Sequence, residues 1–191
     1  SGFFSSAVVM AQNSGVRSRR DVSGLVGGDV ASALFEQHVD VVLSSKLQEH
    51  QSTGVVSMLR CLLGLQRVQH GTFGAILADG MGLGKTLQSI AIISTLFNAG
   101  VCLKSVVVCP AALVSNWSDE FRMWLGPQFP IVLAHGSQVV AAFEAFAREV
   151  SIPVLVTSYE TLRANLHRLD VSALDMVVCD EAHKLKTVLP Q

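Results

Sequence analysis

The stretch GAILADGMGLGKTLQSI (residues 74–90) decides how this chain is read. Its opening, GAILA (74–78), is short and apolar, as a strand buried on both faces of a parallel sheet must be. Residues 86–98 are apolar nearly all round, which predicts a buried helix with Gly100 as its stop. Between strand and helix lies ADGMGLGKT (78–86). A loop that grips phosphate needs this setting: glycines let backbone N–H groups close on phosphate oxygens, and the helix N-terminus adds positive potential. Lys85 is placed to reach β- and γ-phosphates, and the Thr86 hydroxyl to hold Mg²⁺. The strict motif has a glycine where this chain has Asp79.

Outward from this loop the same texture repeats. SVVVC (105–109), IPVLVT (152–157) and DMVVC (175–179) read as further buried strands. Between them, Leu113, Trp117, Phe121, Trp124 and Leu125 share one helical stripe, as do Val139, Val140, Phe143, Phe146 and Ala147, and then Tyr159, Leu162 and Leu166. Alternating β and α predicts an α/β fold with a central parallel sheet, whose ligands bind at the carboxyl ends of the strands. VVCDEAHK (177–184) ends such a strand on two carboxylates: Asp180 suits the Mg²⁺ shell, and Glu181 suits polarising an attacking water. A lysine loop followed by an acidic pair at another strand end is the two-part plan of a phosphate-loop NTPase.

Composition limits the alternatives. The chain has 191 residues, with 14 Lys+Arg against 15 Asp+Glu and a net charge of −1. That fits one domain with an appended arm. It argues against a free-standing basic nucleic-acid module, which needs cations to meet phosphates. Charged residues make up 15% and apolar residues 50%, so a disordered chain is excluded and a surplus of apolar surface could await a partner lobe. No apolar run approaches membrane-spanning length, and a membrane partner is not expected. The four cysteines form no C-x-x-C pair and read as reduced thiols. Residues 1–40 carry Gly, Ser and Val without firm period, plus Arg17, Arg19 and Arg20, and read as an N-terminal arm or extension.

Four segments carry a family resemblance: LADGMGLGKTLQSI, VVVCPAALVSNWSDEF, VLVTSYETLR and VVCDEAHKLK. In order and spacing they resemble the first lobe of Swi/Snf-type helicase-like ATPases, superfamily-two DNA translocases with two RecA-like lobes. LQEHQSTGV (47–55), the long stretch from Gln51 to the phosphate loop, and WLG (124–126) are most similar to the Rad-fifty-four recombination-repair group, with chromatin remodellers as the near alternative.

The resemblance implies that residues 41–191 are a first RecA-like ATP-binding lobe, truncated after the DEAH box and incomplete at its C-terminus. It implies ATP and Mg²⁺ as cofactors, double-stranded DNA as partner, a second RecA-like lobe, a recombinase or histones as further partners, and a nuclear location. By position, Gln51 resembles the glutamine that reads adenine. Asp79, Gly80, Met81, Gly82, Leu83, Gly84, Lys85 and Thr86 match the phosphate loop, and Asp180, Glu181, Ala182 and His183 match the acidic box. His183 would couple nucleotide state to DNA grip. Asn116 and Ser158 are candidate DNA-phosphate contacts, whereas Trp117 and Tyr159, on apolar stripes, are expected to pack. Gly80 stands where the family has Glu, LQEHQ replaces Leu-Arg-Pro-His-Gln, and Thr187 replaces a common Asn. The chain alone is expected to bind DNA weakly and to lack ATP turnover. The alternative is a non-catalytic truncated fragment that binds nucleotide or a protein partner.

Overall fold

The computed structural model describes residues 8–12, 29–65, 73–80 and 82–187. Among the described residues six strands make one sheet: β1 (Val8–Gln12), β2 (Phe73–Leu77), β3 (Ser105–Cys109), β4 (Ile131–Ala134), β5 (Val154–Ser158) and β6 (Met176–Cys179), in the order β2-β1-β6-β3-β5-β4. The last four positions in that order form a parallel block that includes β4, which the sequence pattern did not indicate. GAILA, expected there as a strand buried on both faces, instead lies at the sheet edge as β2 with Ile76 66% exposed, because β1 stands between it and β6. β1 is antiparallel to both its neighbours, so β2 points the same way as β6.

The helices are α1 (Val30–His38), α2 (Val41–Ser44), α3 (Glu49–Leu62), α4 (Lys85–Asn98), α5 (Val114–Leu125), α6 (Val139–Arg148) and α7 (Tyr159–Asn165). Alternation along the strands divides them between two cores. Val107, Cys109, Val154, Val156, Met176 and Val178 pack with α1, α3, α4 and α5, whereas Val106, Val108 and Leu155 pack with Phe143 and Phe146 of α6 and Tyr159 of α7. Helix α4 lies within the first core, buried continuously from Leu87 through Leu96, which explains its all-round apolar sequence.

Two findings go beyond the sequence pattern. Residues 30–38, inside the segment read as a loose arm, form α1 and bury Ala31, Leu34 and Phe35, an i, i+3, i+4 face, against α3 and α4. A second segment of that arm, β1, completes the sheet between β2 and β6. Arg17, Arg19, Arg20 and Met81 lie outside the described residues.

Candidate phosphate loop and acidic box

The β1 register sets the two motifs level with each other. Val9 pairs with Ile76 on one side and with Cys179 on the other. Both the loop that follows Leu77 and Asp180 therefore leave the sheet at the same end, two strand spacings or about 10 Å apart.

The phosphate loop is held by side chains from α3 and α4. Gln51 Nε2 donates to the Leu83 carbonyl at 3.0 Å, while its Oε1 accepts from the Gln48 N–H at 2.9 Å in a capping box. Gln88, wholly buried, donates from Nε2 to Asp79 Oδ2 at 3.0 Å. Lys85 Nζ donates to the carbonyls of Asp79 (2.7 Å) and Gly80 (2.8 Å), so its ammonium lies inside the curl of the loop. Gly82 and Gly84 have φ of 82° and 75°, a left-handed region costly to other residues. Gly84 is also the N-cap of α4 and brings no side-chain acceptor, so the first-turn N–H groups stay available to an anion. Leu83 and Gly80 are exposed, and Thr86 is half-buried at the first turn.

The acidic box is tied to three elements. Asp180 continues the ladder by donating its N–H to the Val108 carbonyl at 2.8 Å. Its Oδ1 accepts from the Glu181 N–H (2.9 Å), its Oδ2 from Trp117 Nε1 of α5 (3.0 Å), and its carbonyl from the Tyr159 hydroxyl of α7 (2.7 Å). Burial raises the Tyr159 hydroxyl above the ordinary phenol value, which keeps it a donor. Glu181 has φ of 53°, alone among the described non-glycine residues in adopting a positive value. A left-handed turn costs a glutamate about 1–2 kcal/mol, and here it follows directly on the strand end. Glu181 Oε2 is buried and lies 3.2 Å from His183 Nδ1, yet the two atoms are not aligned as a hydrogen bond. His183 itself is exposed.

Asn116 stands exposed on the first turn of α5. Ser158 is buried, 4% exposed, and its hydroxyl caps α7 by accepting from the Thr161 N–H at 3.1 Å and donating to Thr161 Oγ1 at 3.0 Å. Trp117 and Tyr159 are buried as expected of packing residues, but each also carries a polar tip to Asp180. The sequence reading missed these two tethers and Gln88. A buried indole N–H or phenol hydroxyl needs a partner, and that requirement was the available signal.

Among the described residues no three His, Cys, Asp or Glu side chains gather as a metal centre. The hard oxygens of Thr86 and Asp180 suit a small divalent cation that keeps water and takes phosphate oxygens to fill its shell. No helix among the described residues is long and apolar enough to cross a membrane.

A glycine-lined loop and an acidic strand end, carried side by side on an α/β sheet, define the phosphate-loop class of lobes. The SNF2-related domain family model matches residues 50–189, and the chain belongs to that family. The DNA repair protein rhp54 of Schizosaccharomyces pombe is 39% identical over 163 residues, covering 78% of this chain and 19% of that protein. Human DNA repair and recombination protein RAD54B is 37% identical, covering 80% of this chain and 17% of its own length. Protein CHROMATIN REMODELING 25 of Arabidopsis thaliana is 40% identical, covering 78% and 17%. The chain thus spans about a fifth of the length of these relatives. A solved SWI2/SNF2 ATPase core from Sulfolobus solfataricus in complex with dsDNA aligns with 61% of this chain and 22% of that one, at 27% identity and a TM-score of 0.47.

Proposed function

We propose that this chain is the ATP-binding first RecA-like lobe of a nuclear DNA-dependent ATPase that translocates on double-stranded DNA in recombinational repair or chromatin remodelling. The observation that carries this reading is the placement of the Lys85 loop and the Asp180 strand end on one rung of the sheet. Membership of the SNF2-related family and likeness to repair proteins support it.

The residues fit a magnesium nucleotide on three counts. The Lys85 ammonium is bonded to two loop carbonyls that a phosphate could replace, a Cβ at Gly82 would meet no atom among the described residues, and Glu181 Oε2 is buried with no aligned hydrogen-bond donor among the described residues. Gln51, buried and bonded at both ends of its carboxamide, would meet the adenine by exchanging its bond to Leu83 or from Gln48; Lys85 would meet the β- and γ-phosphates, and Thr86 with Asp180 the Mg²⁺. Bound Mg²⁺ neutralises charge on the phosphates. Glu181 would orient and polarise water, and His183, 3.2 Å from it, would sense the DNA-gripping segments. Asn116 is the exposed DNA-phosphate candidate, while Ser158 would act through the backbone of the cap it holds. A second lobe, and a recombinase or histones, complete the assembly. This stretch on its own is proposed to lack turnover, because transition-state charge on the γ-phosphoryl group calls for an arginine from a second lobe.

Calorimetry tests the reading. Mg²⁺-ADP should bind with a dissociation constant of roughly 0.1–1 mM, and Lys85→Ala should abolish binding. Unchanged affinity in that variant would refute the site.

A further inference from the structure

Asp180 is restrained more completely than its place at a strand end requires. The ladder bond to Val108 fixes its backbone N–H, and the turn fixes Oδ1 through Glu181. Neither needs α5 or α7. Yet each of those helices sends one buried aromatic residue, by its polar tip, to this one aspartate: Trp117 Nε1 to Oδ2 at 3.0 Å, and the Tyr159 hydroxyl to the main-chain carbonyl at 2.7 Å. Trp117 is 2% exposed and Tyr159 8%, so both donors act in a region of low dielectric, where the Trp117 bond to the carboxylate is strengthened by charge and the Tyr159 bond to the neutral carbonyl by exclusion of water. The bonds from the Glu181 N–H and Trp117 Nε1 to its two oxygens leave the carboxylate little freedom to rotate, while Tyr159 fixes the main chain that carries it. Each oxygen, having accepted one hydrogen bond, retains a lone pair for a cation.

We propose that Trp117 and Tyr159 are positioning residues for the magnesium nucleotide, acting through Asp180 by presetting the orientation of its carboxylate. This inference rests on the proposed nucleotide site. Losing a hydrogen bond that orients a metal-binding carboxylate typically changes metal affinity by about 10–100-fold; Trp117 makes such a bond to Asp180 Oδ2, and Tyr159 holds the backbone beneath it. Their position on the chain adds a consequence. Trp117 follows the exposed Asn116, and Tyr159 follows the α7 cap residue Ser158. A shift of either helix start would therefore reach Asp180 through a single side chain.

The test is ADP affinity of the chain measured with Mg²⁺ and with EDTA, for the unaltered protein, Trp117→Phe and Tyr159→Phe. Tyr159→Phe removes one hydroxyl and keeps the ring, and it guards against a packing defect in Trp117→Phe. The expected result is metal-free affinity unchanged in both variants, with the strengthening by Mg²⁺ reduced about tenfold or lost. A purely structural role would lower both affinities together or neither. Mg²⁺ strengthening equal to that of the unaltered chain in both variants, or parallel loss of metal-free binding in both, overturns the inference. If the unaltered chain binds no ADP, the nucleotide site itself is wrong and the inference falls with it.

Discussion

Gln51 on α3 reaches across 32 residues of sequence to hold the Leu83 carbonyl at 3.0 Å, while the same carboxamide caps its own helix. One side chain therefore joins the start of α3 to the loop that opens α4, and its Nε2 occupies the space a side chain on Gly84 would need. A Cβ built at Gly84 would stand 2.4 Å from it.

Gly84→Ala and Gly82→Ala should consequently differ. Both residues have left-handed φ, so each substitution carries about 1–2 kcal/mol of backbone strain. Only Gly84→Ala also displaces Gln51, since no described residue beyond its chain neighbours lies within 4 Å of a Cβ at Gly82. Thermal melts should place Gly84→Ala below Gly82→Ala, with weaker ADP binding as well. Equal melting temperatures would show that Gln51 does not brace the loop.

Gly54 offers a test in the opposite direction. Glycine within a helix normally costs about 1 kcal/mol relative to alanine, so Gly54→Ala on α3 would ordinarily stabilise. Here the new Cβ would lie 2.5 Å from Gln88 Oε1 and push that buried amide off Asp79. We expect urea denaturation to show no gain in the single variant, and a gain when Gly54→Ala is made in a Gln88→Ala background. Stabilisation by Gly54→Ala alone would contradict the crowding.

Acid should loosen α1 before it unfolds the rest. Hydrogen bonds from Arg60 and then Ser32 hold the Asp29 carboxyl well below its usual range. A folded value below the unfolded one means that the stabilisation is present above about pH 4 and is lost as pH falls through the folded value. Both side chains are exposed by more than a third, so salt should diminish the effect. Stability followed from pH 6 to pH 2 should fall less in Asp29→Asn than in the unaltered chain, most visibly at low salt. Parallel acid profiles would remove the pair from the account of α1.

Cys102 and Cys109 should resist alkylation. Burial pushes both thiols up to about 12, leaving almost no thiolate at pH 8. Mass spectrometry after iodoacetamide should find these two unmodified in the folded chain and modified in denaturant. Rapid labelling of either in the native state would show that the core opens there.

Legibility followed local redundancy. SVVVC is legible to the residue because three consecutive β-branched valines and a cysteine follow a short polar start, and all five positions are buried. β4 is four residues between a Pro-containing turn and an exposed loop and has no motif to mark it, whereas the equally short β6 is marked by the acidic pair at its end. β1 gave no signal of its own, since pairing with strands far along the chain makes it a strand. At the site, Lys85 and Asp180 declare themselves by motif. Trp117 and Tyr159 looked like packing because their rings do pack, and a helical stripe records which face is buried but not where the polar tip ends.

The antiparallel strand between β2 and β6 has a consequence for how the molecule is made. Val8–Gln12 pairs with Phe73–Leu77 and with residues 176–179, among the most distant partners the sheet contains. Closing loops of that length is slow, and contacts of high sequence separation govern folding rate. During synthesis β1 can pair early with β2, but its other edge has to wait until the acidic strand has emerged. Over that interval an unpaired edge is open to strands from other nascent chains, and the Lys85 loop and Asp180 come into register only when β6 docks.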